Sequence, residues 1–183
     1  MTEHVYFERT VRQQTVFEGK VIRLEQLTVE LPNGRAATRE VVRHPGAVAV
    51  LAEIRPGSVV LVDQFRKAPG LGLLEIPAGK LEPGEEPLAC ARRELAEETG
   101  LIAAELQYMC AFYTSPGFAD ERITVYYADT VEPGQTHPDE DEFLHTLVMT
   151  RDEVAHGLET GKFLDAKTII ALQWWLARAN TSG

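Results

Sequence analysis

The chain has 183 residues, of which 44% are hydrophobic, so it can bury one sizeable core and is expected to form one main domain. Its formal net charge of −10 at pH 7 argues against a basic surface that follows a phosphate backbone, so no nucleic acid polymer is expected as a partner. The polar start and the lack of a long apolar run predict a cytoplasmic protein that does not associate with a membrane.

The beginning of the chain predicts a small β-sheet. Residues 4–17 and 20–31 are rich in Val, Phe, Ile and Leu at partly alternating positions, which favours a hairpin. A Pro-Asn-Gly turn signal follows, and residues 36–43 then return as a third strand. We therefore expect an N-terminal antiparallel β subdomain over residues 1–43 and a larger domain over residues 44–183.

The remainder of the chain alternates between strand and helix patterns. Strands are predicted at residues 47–54, 58–64, 73–77, 106–112, 122–129 and 143–149. Helices are predicted at residues 87–99, 151–160 and 165–179, and residues 131–141 are predicted to be a loop. This interleaving predicts an α/β (α+β) fold in which helices flank a mixed central sheet.

The first of these helices carries an unusual cluster of acidic residues. Glu94, Glu97 and Glu98 lie next to Arg93, and residues three and four apart share one face of a helix. Carboxylates this close repel one another unless a cation neutralises them, and all-oxygen ligands suit Mg²⁺ or Mn²⁺. The alternative is an acidic helix face that is simply solvated.

The spacing of residues around this helix separates the two interpretations. Residues 79–101 fill every fixed position of the pattern G-x5-E-x7-R-E-U-x-E-E-x-G-U, where U is a bulky aliphatic residue. The pattern resembles the signature of the Nudix hydrolases, which cleave nucleoside diphosphates linked to another moiety. The resemblance implies a working metal-dependent hydrolase and the α/β/α sandwich of that family for residues 45–180.

Segments outside the signature resemble one subfamily, the ADP-ribose pyrophosphatases. These segments are residues 17–21, 44–48, 75–82 and 115–118. The resemblance implies hydrolysis of the diphosphate bond of ADP-ribose to AMP and ribose 5-phosphate. Two alternatives stay open: a broader nucleoside-diphosphate-sugar pyrophosphatase, and a non-catalytic Nudix module that senses ADP-ribose.

The resemblance also implies which residues hold metal. The backbone carbonyl of Ala78 and the carboxylates of Glu94 and Glu98 would bind two or three Mg²⁺ or Mn²⁺ ions. Glu97 would share in this site or support it, as part of the catalytic set. Arg93 would orient the glutamates or balance their charge, the alternative being an ordinary surface ion pair.

Five further residues are candidates for binding ADP-ribose. Phe17 would stack on the adenine, and Arg39 and Arg66 would contact the adenine and the phosphates. Pro116 and Gly117, in the loop after the helix, complete the set. The competing interpretation for a single Phe or Arg on a strand is an ordinary core or surface role.

The general base is expected in the acidic run at residues 139–142. Without the resemblance this run would be interpreted as a solvated loop. Similar enzymes place a glutamate base and a further metal ligand in such a loop, so Glu140 is assigned as the base and Glu142 as a ligand. The sequence leaves open whether these two roles are reversed.

The N-terminal strands also predict an assembly. Three short strands are too small to bury a core alone, and they carry both Phe17 and Arg39. The resemblance implies a homodimer that exchanges this segment, so that each subunit helps build the substrate site of the other. The alternative is a hairpin packed on its own domain.

Overall fold

The computed structural model describes residues 5–134 and 144–179. In chain order the elements are β1 (Arg9–Glu18), β2 (Arg23–Glu30), β3 (Ala36–Arg43), β4 (Ala47–Arg55), β5 (Ser58–Arg66), β6 (Leu71–Glu75), β7 (Ala78–Lys80), α1 (Pro87–Thr99), β8 (Leu101–Ala103), β9 (Gln107–Tyr113), β10 (Arg122–Ala128), β11 (Val131–Pro133), β12 (Leu144–Thr150), α2 (Arg151–Glu159) and α3 (Ala166–Ala179). None of the helices in the described ranges has the length and apolar character needed to cross a membrane.

The chain divides into two compact units. The first contains residues 1–46 and 113–122, and the second contains residues 47–112 and 123–183. The domain boundary after residue 43 that the sequence suggests stays a prediction.

A three-stranded antiparallel sheet in the order β1-β2-β3 forms the body of the first unit. Alternate residues of β2 point inward, and Glu25, Leu27 and Val29 are all buried. All ten residues of β1 are exposed, including several apolar ones. The N-terminal sheet expected from the sequence is therefore confirmed.

The segment 113–122 joins this unit through contacts with the end of β3. The backbone N–H of Val42 donates to the Phe118 carbonyl at 2.7 Å, and the N–H of Asp120 donates back to the Val42 carbonyl at 3.1 Å. The Asp120 carboxylate accepts hydrogen bonds from Arg43 Nη1 at 3.0 Å and from the His44 N–H at 2.8 Å. These bonds hold the loop against the strand.

The second unit is built on a mixed sheet of seven strands. Its order is β12-β5-β4-β10-β9, with β6 paired to β5 and β7 paired to β4. The β4–β10 pair is parallel, whereas β5 is antiparallel to β4, β6 and β12. The mixed central sheet predicted from the sequence is confirmed.

Strand β4 shows why this sheet carries helices on both faces. Its first six residues are all buried, and alternate residues belong to two separate apolar clusters. One cluster includes Leu172 and Trp175 of α3, and the other includes Cys90 and Leu95 of α1. The helices thus cover opposite faces, as expected for an α/β/α sandwich.

Three short strands were not predicted from the sequence. They are β7, β8 and β11, each three residues long, and β11 lies in a segment that was predicted to be a loop. Strand β7 pairs with β4, and β8 pairs with β11. Three residues carry too little alternation to be recognised, because such strands are defined by a partner that is distant in sequence.

Candidate active site

Helix α1 has clear start and stop signals. Pro87 occupies its first turn, where the missing N–H costs nothing, and Gly100 ends it in the left-handed conformation with φ 67°. The side of the helix that faces the protein carries the apolar Cys90, Ala91 and Leu95, together with two glutamates. Burial of carboxylates beside the apolar residues indicates a role beyond solubility.

The carboxylate of Glu94 lies directly against the backbone of Gly79. A Cβ atom added to residue 79 would lie 1.8 Å from Glu94 Cδ and 1.9 Å from Oε1. Any residue other than glycine at this position would therefore displace the carboxylate. Because Gly79 belongs to β7, which pairs with β4, the central sheet positions this contact.

Arg93 holds the acidic side chains of this region together. Its Nε and Nη2 donate to the two carboxylate oxygens of Glu85 at 2.9 and 3.0 Å. Its Nη1 donates to Glu94 Oε1 at 2.8 Å and to Glu97 Oε2 at 2.9 Å. One guanidinium thus contacts three carboxylates, and the orienting role of Arg93 stays a prediction.

These ion pairs shift the pKa values of both partners. Hydrogen bonds from Arg93 lower the pKa of the Glu85 carboxyl from 4.5 to about 2. The bond to Glu85 and the nearby charge of Glu94 raise the pKa of Arg93 despite its partial burial. The Arg93–Glu85 pair is therefore fully charged at neutral pH.

Glu98 lies one turn further along the same face of α1. Its side chain is almost completely buried, and its Oε2 accepts a hydrogen bond from the Ala78 N–H at 3.0 Å. The predicted metal ligands Ala78 and Glu98 are therefore neighbours, and Glu94 contacts the next residue along, Gly79.

The acidic residues of α1 fit a divalent cation by their chemistry. In the described part of the chain, no group of three or more His, Cys, Asp or Glu side chains is already arranged to hold a metal ion. The donors available are nevertheless all oxygens, and Gly79 provides the space in which the Glu94 carboxylate lies. Such a set suits Mg²⁺ or Mn²⁺ better than a softer metal.

Arg66, at the end of β5, is fixed by Glu75. Its Nε and Nη2 each donate to one oxygen of Glu75 at 2.8 Å. These bonds raise the pKa of Arg66, burial opposes them, and the Glu98 carboxylate contributes further. Arg66 therefore lies within electrostatic reach of Glu98 of α1.

The other predicted substrate residues belong to the first unit. Phe17 is 55% exposed on β1. Arg39, on β3, donates to both oxygens of Glu8, from Nε at 2.9 Å and from Nη2 at 2.6 Å. Pro116 and Gly117 occupy a turn in which the Phe118 N–H donates to the Ser115 carbonyl at 3.0 Å.

The predicted base Glu140 and ligand Glu142 lie outside the described residues.

Comparison with known proteins identifies the family. The family described as "NUDIX domain" matches residues 42–172, which is more than half of the chain. The chain belongs to the Nudix family. A second family, described as "Nucleoside diphosphate sugar hydrolase N-terminal domain", matches residues 8–42, the three-stranded part of this Nudix protein.

Several curated Nudix relatives are similar over most of their length. A protein of Bacillus subtilis (strain 168) named "ADP-ribose pyrophosphatase" is 48% identical over 91% of both chains. A Bacillus methanolicus protein named "Methanol dehydrogenase activator" is 43% identical over 93% of both chains. An Escherichia coli (strain K12) protein named "ADP-ribose pyrophosphatase" is 33% identical over 90% of this chain and 85% of its own.

A solved structure supports the Nudix fold. The structure described as "Crystal structure of ADP compounds hydrolase" superposes with a TM-score of 0.82 and covers 97% of this chain and 96% of its own. Only 21% of the aligned residues are identical, so this similarity concerns the fold.

Sequence reasoning gave no role to four residues that contact the predicted site residues, directly or, for Lys167, through Glu75. Gly79 and Glu85 were noted as positions of the signature, which was the signal available for both, but neither was given a role. Glu75 and Lys167 form a buried ion pair at the end of β6 and the start of α3. Glu75 lies in a segment that resembles the subfamily, whereas Lys167 has no signal in the sequence alone.

Proposed function

We propose that this Nudix protein hydrolyses the diphosphate bond of ADP-ribose, giving AMP and ribose 5-phosphate, with Mg²⁺ or Mn²⁺ as cofactor. The observation that carries the proposal is the arrangement of the three glutamates of α1: Arg93 contacts Glu94 and Glu97, and Glu98 accepts from the Ala78 N–H. A non-catalytic module has no need to keep three carboxylates that repel one another. The choice of ADP-ribose is supported by the names of the Bacillus subtilis and Escherichia coli relatives.

Ala78, Glu94 and Glu98 would hold two or three divalent ions, with Glu97 sharing in the site. When bound, these ions supply the positive charge that activates water for attack and stabilises the oxygens of the diphosphate. Arg93 keeps the carboxylates in place, since it contacts both Glu94 and Glu97. The α1 surface is therefore preorganised for this chemistry.

Chain residues outside α1 would bind ADP-ribose and move the proton. Arg66 would donate to a phosphate oxygen, and its guanidinium is already oriented by two hydrogen bonds to Glu75. Phe17 and Arg39 would bind the adenine, with Pro116 and Gly117 alongside the substrate. Glu140 would remove a proton from the attacking water, and Glu142 would complete the metal site. These two assignments rest on the family resemblance.

We further propose that the protein is a cytoplasmic homodimer whose N-terminal segments are exchanged. Strand β1 is exposed throughout, and its Val11, Val16 and Phe17 side chains are 47%, 57% and 55% exposed. Exposed apolar residues clustered on one strand favour burial against a partner. A second copy of this chain would cover them and would bring Phe17 and Arg39 to the partner's substrate.

A broader activity on nucleoside diphosphate sugars is the second candidate. It is favoured by the family that matches residues 8–42, whose description names nucleoside diphosphate sugars and not ADP-ribose. The glutamates of α1 would serve both activities equally well. Residues that contact the base and the terminal sugar therefore decide between them.

A substrate panel tests the proposal. The purified protein is given ADP-ribose, ADP-glucose, UDP-glucose and NAD⁺ with Mg²⁺ or Mn²⁺, and products are identified by chromatography. ADP-ribose should be cleaved to AMP and ribose 5-phosphate with kcat/KM at least about tenfold above the others, a difference of roughly 1.4 kcal/mol. Glu98→Gln, prepared in the same way, controls for contaminating phosphatases.

Each other outcome supports a different conclusion. Similar kcat/KM values for ADP-ribose and UDP-glucose would favour the broader sugar pyrophosphatase. Binding of ADP-ribose measured by calorimetry without any turnover would indicate the non-catalytic sensor and overturn the proposed activity.

A further inference from the structure

A buried network of charges lies next to Arg66 and contains no residue of α1. The side chains of Glu75 and Lys167 are only 2% and 7% exposed, and Asp165 is 19% exposed. Arg66 is 39% exposed, so it is the most exposed member of the network. Two acidic and two basic side chains balance, which makes the burial of the set tolerable.

The contacts run in series from helix α3 to Arg66. Lys167 Nζ bonds to Glu75 Oε2 and also lies 3.1 Å from Asp165 Oδ2. The same Glu75 oxygen accepts from Arg66 Nη2 at 2.8 Å, while the other oxygen accepts from Arg66 Nε. Both Glu75 oxygens are thus held, and two of the five N–H donors of Arg66 are fixed in one plane.

The start of α3 also holds the backbone next to Glu75. Thr168 Oγ1 accepts from the Ile76 N–H at 2.9 Å, and Asp165 caps the helix by accepting from the Thr168 N–H at 3.0 Å. One helix end therefore fixes both the side chain of Glu75 and the chain that leads from it toward Ala78.

Burial of a lysine here needs a reason other than stability. Burial raises the pKa of the Glu75 carboxyl, but the bonds from Arg66 and the charge of Lys167 outweigh burial and hold that pKa below its ordinary value. Arg66 balances the charge of Glu75, and Lys167 balances the charge of Asp165 while also bonding to Glu75. Moving the charge of Lys167 out of water costs more free energy than burying an apolar side chain of similar size. We therefore interpret the burial of Lys167 as serving the orientation of its partners.

We propose that Lys167 is a positioning residue for the diphosphate: by anchoring Glu75 from helix α3, it fixes the direction in which Arg66 presents its remaining N–H donors to the substrate. The inference rests on the proposed function, because it takes Arg66 as the residue that contacts the phosphates. Lys167 acts through Arg66 and does not itself contact the substrate.

A double-mutant cycle between Lys167 and Arg66 tests this role. Lys167→Met keeps the length of the side chain and removes its charge, and it should lower kcat/KM for ADP-ribose about tenfold, within the range of coupling inside one ion-pair network. In an Arg66→Ala background the same substitution should lower kcat/KM less than about twofold, because there is no guanidinium left to position. Lys167→Arg should restore most of the activity.

Two further variants make the cycle decisive. Lys162→Met removes an exposed lysine before the same helix and should leave kcat/KM unchanged in both backgrounds. If Lys167→Met does not fold, as judged by circular dichroism and thermal melting, Lys167→Gln replaces it. The shorter neutral amide removes the charge and weakens the anchor on Glu75, so kcat/KM should still fall in the wild-type background and change less than about twofold in the Arg66→Ala background.

The outcomes separate the inference from the proposed function. An equal loss of kcat/KM from Lys167→Met in both backgrounds, or wild-type activity in Arg66→Ala, would overturn the inference while the pyrophosphatase activity stands. A wild-type protein that does not cleave ADP-ribose would overturn both.

Discussion

Replacing Gly79 with alanine tests whether the contact between Gly79 and Glu94 serves the metal site. The new Cβ would lie 1.8 Å from Glu94 Cδ, whereas ordinary contact begins at 3.4 Å, so the carboxylate must move by more than an ångström. Metal–oxygen distances tolerate only about 0.2 Å. Gly79→Ala should therefore remove Glu94 as a ligand and raise the Mg²⁺ concentration for half-maximal activity roughly tenfold to a hundredfold.

Stability should change little, which separates the metal effect from unfolding. Moving Glu94 off its preferred rotamer costs about 0.5–1.5 kcal/mol. Replacing a glycine whose backbone conformation suits alanine offsets this by about 0.4–1 kcal/mol, because the unfolded chain loses freedom. The melting temperature should consequently stay within a few degrees of the wild-type value.

The assay combines calorimetric titration with Mn²⁺ and activity measured over a range of Mg²⁺ concentrations. Gly72→Ala is the matched control, because its Cβ would lie 3.3 Å from the nearest atom, Asp63 Oδ1, and would require a shift of only a few tenths of an ångström. Unchanged metal affinity and activity in Gly79→Ala would refute the assignment of Glu94 as a ligand.

Glu98, the N-terminal segment and the Arg93–Glu85 pair can each be tested in the same way. Glu98→Gln should lower kcat more than a hundredfold at saturating Mg²⁺, which is roughly the effect of losing one preorganised electrostatic group. Its melting temperature should stay at the wild-type value, and near-normal turnover would show that Glu98 is not part of the site. Mixed dimers of Glu98→Gln and Arg39→Ala subunits should regain activity in one of their two composite sites, whereas a fully active monomer in light scattering would exclude segment exchange. Because Arg93 lowers the pKa of Glu85 from 4.5 to about 2, the stability that this pair contributes is present above pH 4.5 and is lost as the pH falls toward 2. The melting temperatures of wild type and Glu85→Gln should thus converge with acidification, and a constant difference would argue against the pair.

Most of the candidate site was predictable because its residues lie close together in the sequence. The signature places Arg93, Glu94 and Glu98 on one helix, and helical periodicity alone puts them on neighbouring faces. Pro87 and Gly100 mark the ends of that helix through local backbone preferences. Strand alternation in the same way predicts the N-terminal sheet.

Contacts between distant segments were not predictable. Arg39 was expected to contact the substrate, and only the structure shows that both oxygens of Glu8 accept from its Nε and Nη2. The segment 113–122 was expected in the larger domain, yet its bonds to Val42 and Arg43 group it with the N-terminal sheet.

The sequence by itself determined the fold class, the acidic helix α1 and membership of the Nudix family, because each depends on residue types at short, regular spacings. Only the tertiary structure decided that Gly79 lies under Glu94 and that Lys167 reaches Glu75 across 92 positions of the chain. The physical reason is that such close contacts depend on how β7 and α3 pack on the central sheet. The hydrophobic periodicity of a single segment does not predict that packing.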